Sequence, residues 1–362
     1  IRIFQKLADG RGSYAASAID QLCSTFENRR QYPKAADYWR TNIKRFGENA
    51  KYKPKTKRLK QIIDNWGIFE PIMTQPSGKG ATVEFRFRNG KNVHFEARSI
   101  KVEKLLADVK EYIKSNPQDN QWQKTQIGNI GYRLMRGDEK KYVDKKVADW
   151  DLEVKPRPGH FDKRITVATP LQKAGAYLLT AKMADGNLSR IIIWVADTAI
   201  VKKPLNGKTW YYVADAVSGK PIAKANVEFF GWYRKYIGRN GKRKYDTQTK
   251  NFSEFSSADG QITLGPDQMP NNFSWLAIAR TDAGRMAFLG FSRVWYGRYY
   301  DAQYNQRKTF VMTDRPIYRP KQKVNFKFWI NTAKYDVEGK SQFAGQSFQV
   351  RIHNPKGEKI FE

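Results

Sequence analysis

The spacing of apolar side chains changes character along the chain. In YAASAIDQLCSTFENRRQ, Ala15, Ala18, Ile19, Leu22 and Phe26 return every three or four positions, and in YPKAADYWRTNIKRFG, Ala35, Ala36, Trp39, Ile43 and Phe46 do the same. That period predicts two amphipathic helices, the second entered through Pro33 and stopped at Gly47. The helical reading extends over residues 1–70, and the helical cap it builds is expected over 1–78. LLADVKEYIK predicts one further helix, inserted among strands.

From Ala81 onward the period is two. ATVEFRFRNGKNVHFEAR reads as two alternating strands joined in a hairpin at Asn89-Gly90. RITVATP, GAYLLTAKM and SRIIIWVAD follow as strands, with a turn at Asp185-Gly186 between the last two. WYYVADAVSGKPIAKANVEFFGWY, SEFSSADGQITL, SWLAIARTDAGRMAFLGF and KTFVMTD continue the pattern. Short strands with turn signals at this spacing predict antiparallel β-sandwiches of about 100 residues each. The expected fold class is therefore mostly β: tandem antiparallel β-sandwiches behind a small helical region. The expected domains are 79–202, a sandwich carrying the helical insertion; 203–303, a second sandwich; and 304–362, the incomplete start of a third.

The third begins with TDRPIYRPKQKVNF. Pro316 and Pro320 fix their own φ and push Arg315 and Arg319 out of the α region, so the segment predicts a stiff, extended approach to a strand, with Tyr318 between the prolines. Val324, Phe326, Phe328 and Ile330 then alternate with Asn325, Lys327 and Trp329.

These segments carry a resemblance. VADAVSGKPIAKANVEFF, with Gly219 and Pro221, is similar to the strand–turn–strand of macroglobulin domains in the α2-macroglobulin family. Ser257-Ala258-Asp259-Gly260 matches the turn that follows it. Asp314, Arg315, Pro316, Tyr318, Arg319 and Pro320 match the family's TDRPIYRPGQ signature, with Lys321 where that pattern has glycine. The likeness covers roughly 195–362 most fully, and 81–195 less so. The two-helix unit near the start resembles a tetratricopeptide-like hairpin, and an ordinary helical cap reads equally well. Family membership implies macroglobulin sandwiches in series, a protease-cleaved bait segment and, usually, a Cys–Gln thioester. Cys23 stands in Cys-Ser-Thr-Phe within a helix and does not supply one. The resemblance thus implies the scaffold portion of a bacterial-type, broad-spectrum protease inhibitor, acting outside the cytoplasm on proteases as targets, with bait and thioester beyond Glu362. The chain's start, without Met or a secretory pattern, and its end inside strand-like sequence read as those of a fragment. The rival reading is a basic adhesion or polysaccharide-binding surface protein that reuses the same sandwiches.

Charge bears on that rivalry. The chain of 362 residues has 66 Lys and Arg against 35 Asp and Glu, a net +31, which favours anionic polymers or surfaces as partners. The surplus is +8 in each of 1–78, 79–200 and 201–303 and +7 in 304–362. A specific nucleic-acid binder concentrates its charge, so none is predicted. Two places stand out. Lys51–Lys60 carries six basic residues and no acidic one, which reads first as a solvated approach to a helix. FFGWYRKYIGRNGKRKY interleaves aromatics with Arg234, Lys235, Lys242, Arg243 and Lys244, a composition suited to a polyanion contact. The competing reading is a twisted hairpin whose aromatics pack across strands beneath arginines.

The sequence has little catalytic chemistry. His94, His160 and His353 stand singly, without a metal-ligand partner at helical spacing. Asp138-Glu139 and Asp149/Asp151 sit among lysines. No nucleophile-elbow, zinc-protease, P-loop or dinucleotide pattern occurs. We expect no enzyme activity, no cofactor and no metal. Asn187-Leu188-Ser189, Asn251-Phe252-Ser253 and Asn272-Phe273-Ser274 fit the N-glycosylation pattern.

Overall fold

The computed structural model describes residues 1–118, 121–136, 140–238, 244–296, 306–319, 322–333, 340–354 and 356–361. They form two compact units: Ile1–Lys203 with Lys208–Trp295, and Pro204–Gly207 with the described residues from Tyr296 on.

The first unit opens with α1 (Arg2–Ala8), α2 (Ser13–Asn28), α3 (Tyr32–Phe46) and α4 (Pro54–Ile63). α2 and α3 approach closely because Ala15, Ala18, Ala35 and Ala36 fill the crossing, and Ile19, Leu22, Cys23 and Phe26 close the core beside them. Burial pushes the Cys23 thiol up to about 12, the behaviour of a small packed hydrophobe. Buried Asn42 donates to Asp20 Oδ1 (2.6 Å) and accepts from Lys55 Nζ (2.7 Å), tying α2, α3 and α4 together. At 7 and 10 residues, α1 and α4 flank one longer pair, so α2 and α3 form a single hairpin.

Helix ends at Ile63, earlier than the sequence reading of 1–70. Trp66–Phe69 is β1, antiparallel to the strand Thr82–Arg88, because burying Phe69 against Phe85 (5.4 Å between rings) outweighs one further helical turn. The first sandwich has a three-stranded sheet in the order β1, β3 (Thr82–Arg88), β6 (Lys163–Ala168). Its five-stranded sheet runs β2 (Gln75–Pro76), β8 (Leu188–Ala196), β7 (Gly175–Met183), β4 (Asn92–Ile100), β5 (Val143–Glu153). Phe69, Phe85, Phe87, Phe95, Leu179, Met183 and Ile193 pack between the sheets.

The expected hairpin at Asn89-Gly90 is corrected. β3 and β4 lie in different sheets, and the dipeptide arches between them. Both strands are apolar on alternate positions, so both bury a face in one core, which an arch permits and a flat hairpin does not. Asn89 takes a left-handed φ of 62°, and a side chain on Gly90 would meet Met183 Sδ at 2.1 Å. Asp185-Gly186 does turn β7 into β8, as read from sequence.

Between β4 and β5 the chain forms α5 (Val102–Lys114), α6 (Trp122–Thr125) and α7 (Ile127–Arg136). The sequence reading found only α5. Gly128 and Gly131 mask the pattern of α7, which buries Ile130 and Leu134.

The second sandwich pairs β9 (Thr198–Leu205), β10 (Lys208–Asp215) and β13 (Gln261–Leu264) in one sheet. β12 (Tyr245–Phe255), β11 (Asn226–Tyr236), β14 (Ser274–Arg280) and β15 (Met286–Arg293) make the other. Tyr211 meets Phe229 across the layers at 4.9 Å. The outward face of the four-stranded sheet is also buried: Phe230, Leu276 and Ile278 share one cluster with Leu105, Leu106, Val109, Ile113, Ile130, Leu134 and Ala176. The insertion therefore joins the two sandwiches through a common apolar layer. Lys110 Nζ donates to Glu228 Oε1 at 2.6 Å in the same layer, and Arg280 Nη1 adds a bond to Oε2 at 3.2 Å.

In the second unit, β16 (Arg307–Thr313) pairs antiparallel with β17 (Phe326–Thr332), and β18 (Ile352–His353) with β19 (Lys359–Phe361).

Candidate functional site: the signature turns

The residues singled out by the macroglobulin-like turns fall into two groups. In the second sandwich, Asp215 ends β10 and folds the following residues over itself. Its Oδ1 accepts from the amides of Val217 (3.0 Å) and Ser218 (2.7 Å) and from the Ser218 hydroxyl (2.8 Å). The Ser218 amide, then its hydroxyl and the Arg285 guanidinium hold this carboxyl far below its ordinary range. Gly219, at φ 71°, donates its amide to Asp215 O (2.9 Å) and accepts from the Tyr212 hydroxyl (3.0 Å).

The turn then returns to the strand it left. Pro221 bridges Ala214, and the Ile222 amide donates to Val213 O at 2.9 Å. On its other side Val213 donates to Gly260 O at 2.8 Å. Gly260, at φ 70°, approaches so closely that a Cβ would lie 2.5 Å from Val213 O. Gly219, Pro221 and Gly260 thus meet around Val213 and Ala214, although the two turns are separate in sequence.

Two residues of this junction were not singled out from sequence. Buried Ser256 accepts from the Ala225 amide (2.9 Å) and donates to Ile222 O (2.7 Å), closing the turn from below. Arg285, in the β14–β15 turn, reaches Asp215 Oδ2 (2.7 Å) and Thr198 Oγ1 (3.1 Å), and also donates to the Asp197 carbonyl. It clasps the last residue after β8 of the first sandwich to the end of β10 in the second. An arginine in an Asp-Ala-Gly-Arg turn has no local signature; its role appears only when the topology brings Asp197 and Asp215 together.

In the second unit, Asp314 accepts from the Tyr318 hydroxyl and from the Asn325 amide (3.1 Å), while its own amide donates to Asn325 O (3.0 Å). The Arg315 amide donates to the Tyr318 hydroxyl at 3.1 Å, and the Arg319 amide to Gln322 Oε1 at 2.8 Å. The proline-bearing segment is non-helical, as expected from its sequence, and folds back at the mouth of the β16–β17 hairpin. Pro316 and the exposed Ile317 form its outer bend. Pro320 and Lys321 lie outside the described residues.

Three of the five candidate polyanion residues lie among the described residues. Arg234 is spent internally: it donates to Pro117 O (3.2 Å) and Gln118 O and lies 4.1 Å over the Tyr245 ring. Lys235 and Lys244 are exposed; Lys242 and Arg243 lie outside the described residues. β11 and β12 pair from Asn226↔Phe255 to Tyr236↔Tyr245, the twisted-hairpin alternative drawn from sequence. Of the Lys51–Lys60 run, Lys55 and Arg58 turn inward to Asn42 and Glu27, whereas Lys53, Lys57 and Lys60 are exposed on the other side of α4.

His94 Nδ1 contacts Asp151 Oδ1 (2.9 Å), His160 Nδ1 contacts Asn89 Oδ1 (2.8 Å), and His353 lies on β18. Asp149 pairs with Lys146, and Asp138-Glu139 lie outside the described residues. Among the described residues no group of three or more His, Cys, Asp or Glu could hold a metal, and no helix is long and apolar enough to cross a membrane. Asn187 is engaged with β1, donating to Gly67 O and accepting from Gly67 N, each at 2.8 Å.

Comparison with solved structures finds likenesses to bacterial α2-macroglobulins. A native Escherichia coli α2-macroglobulin fragment spanning domains NIE-MG1 matches at 16% identity and TM-score 0.39, over 63% of this chain and 97% of that one. The chain resembles bacterial α2-macroglobulins. The native E. coli α2-macroglobulin seen by cryo-electron microscopy matches at 15% identity and TM-score 0.35, over 82% of this chain and 17% of that one. Salmonella α2-macroglobulin reacted with methylamine matches at 12% identity and TM-score 0.26, over 73% and 18%. No family model and no curated protein matches the chain. The chain thus spans about a sixth of the length of the E. coli α2-macroglobulin it matches.

Proposed function

We propose that residues 1–362 are scaffold of an extracytoplasmic, α2-macroglobulin-like protease inhibitor whose bait and any thioester lie downstream. The observation that carries the reading is the junction around Val213, where Asp215, Gly219, Pro221 and Gly260 build the macroglobulin-like turn from two separated segments. The Asp314–Tyr318 knot supports it by repeating the signature at the start of β17's hairpin. The carboxylates of both turns are spent within the turns themselves, Asp215 on Val217, Ser218 and Arg285 and Asp314 on Tyr318 and Asn325. Such an arrangement supports transmission of position rather than catalysis. The proposed division of labour is a helical cap, two sandwiches and the start of a third, holding downstream reactive parts in register.

Of the five basic residues offered for the rival surface-binding reading, Arg234 is committed to Gln118 and Tyr245. Incubating the full-length protein with an endopeptidase and separating by size tests the proposal. Co-elution of protease that still cleaves small peptides but not large proteins supports it. Cleavage without retention contradicts it, and heparin affinity with a steep salt dependence in that case favours the rival.

A further inference from the structure

The four-stranded sheet of the second sandwich ends at β12, and one stretch of that edge is open. Tyr245 turns both of its backbone groups away from β11: its amide donates to Gln118 Oε1 (3.1 Å) and its carbonyl accepts from Gln118 Nε2 (3.0 Å). The Thr247 amide donates to Asn116 Oδ1 at 2.9 Å. Two side chains of the insertion thus pair with the start of the edge as a neighbouring strand does. Backbone direction alternates along a strand, so Thr249, Asn251 and Ser253 point outward like 245 and 247. All three are exposed, and among the described residues no hydrogen bond reaches their amides or carbonyls.

Proteins blunt such edges with bulges, prolines or charges, because unpaired backbone accepts another extended chain. The other long edge strands of the two sandwiches are blunted in this way. The β4–β5 pairing shifts register at Ala97/Arg98 and at Arg98/Ile100. The β14–β15 pairing shifts between Trp275 and Ala277, and Lys202 Nζ donates to Ser292 Oγ (2.7 Å) and Arg293 O (3.0 Å) at the end of β15. β9 contains Pro204. β12 has neither device: it contains no proline, and its register with β11 is unbroken from Asn226↔Phe255 to Tyr236↔Tyr245.

We propose that β12 pairs antiparallel with β12 of a second copy of this chain, about a two-fold axis at Asn251, joining two four-stranded sheets edge to edge. The open stretch 249–253 is centred on Asn251 and is therefore complementary to itself. In that register Thr249 stands opposite Ser253 of the second copy and Asn251 opposite its own equivalent, each pair exchanging both backbone hydrogen bonds. On the other face Lys250 stands opposite Phe252 and Gln248 opposite Glu254, so no like charges face each other directly. Charge decides whether a copy is acceptable. The chain carries +31, but in this strand Lys250 stands against Asp246 and Glu254, a balance of −1. Phe255, 67% exposed just past the open stretch, lies diagonal to Thr249 of the second copy, within reach of its side chain.

Sedimentation velocity of the full-length protein from about 1 to about 100 µM, at about 0.15 M salt to screen the overall charge, tests the pairing. The expected result is conversion of monomer to dimer across that range, with amide exchange at 249, 251 and 253 slowing as concentration rises. Thr249→Lys with Ser253→Lys sets lysines opposite each other twice across the axis and is expected to weaken the dimer about tenfold. Both positions are exposed, so the urea midpoint of the monomer is expected to stay at the wild-type value. Thr249→Glu with Ser253→Glu weakens the dimer likewise, and mixing the two double variants restores it, because each lysine then meets a glutamate. A protein that stays monomeric at every concentration overturns the proposal and leaves the edge to an extended segment of another protein. A dimer that survives the double lysine variant, or charged variants that do not associate on mixing, overturns it as well.

Discussion

Arg285 Nη2 lies 2.7 Å from Asp215 Oδ2 while the same guanidinium holds the Asp197 carbonyl, so one side chain clasps two sandwiches at the turn that most resembles a macroglobulin domain. Because Asp215 titrates well below its ordinary value of 3.8, its contribution is complete above that value and is lost as pH falls toward the depressed one. Urea midpoints measured against pH are expected to show Asp215→Asn less stable than wild type near neutrality, with the gap closing below pH 3.8. Arg285→Met is expected to narrow the same gap.

Gly260 is the closest approach in the junction. Alanine there meets Val213 O at 2.5 Å and must hold φ near 70°. We expect Gly260→Ala to cost about 1–3 kcal/mol by chemical denaturation, and Gly265→Ala, whose Cβ meets nothing within 4 Å, to cost far less.

The apolar layer contributed by α5 makes a different prediction. Leu106 is almost wholly buried among residues of both sandwiches. Leu106→Ala is expected to cost about 2–5 kcal/mol and to raise hydrogen exchange in β7 and β8 together with β11 and β14. Loss confined to the first sandwich contradicts a shared layer.

Tyr318→Phe removes the hydroxyl that links Asp314 to the Arg315 amide. Faster exchange at 314–318, with the unfolding midpoint of the first unit unchanged, is the expected outcome.

Much of this architecture was legible because burial and period coincide. α2 and α3 carry alanines where helices cross, and β3 and β13 alternate cleanly, whereas β14 is buried on both faces. The Asp185-Gly186 turn is local chemistry and was read correctly. Asn89-Gly90 presents the same local signal, yet the competing demand to bury Phe85, Phe87 and Phe95 in one core turns it into an arch. β1 is four residues long, too short to show a period beside a helix. α7 contains two glycines whose cost is met only by packing of Ile130 and Leu134. Gly219, Pro221 and Gly260 were visible as turn residues, but their convergence on Val213, and the part of Arg285 and Ser256, depend on contacts across dozens of residues that no sequence window contains.

Under the proposed scaffold role, these sandwiches hold position while a downstream cleavage changes the rest of the molecule. The hydrodynamic radius of the full-length protein before and after limited proteolysis measures this directly. A marked change in radius, with hydrogen-exchange protection of β3, β4, β11 and β14 unaltered, is expected; cleavage that leaves the radius unchanged contradicts the scaffold role.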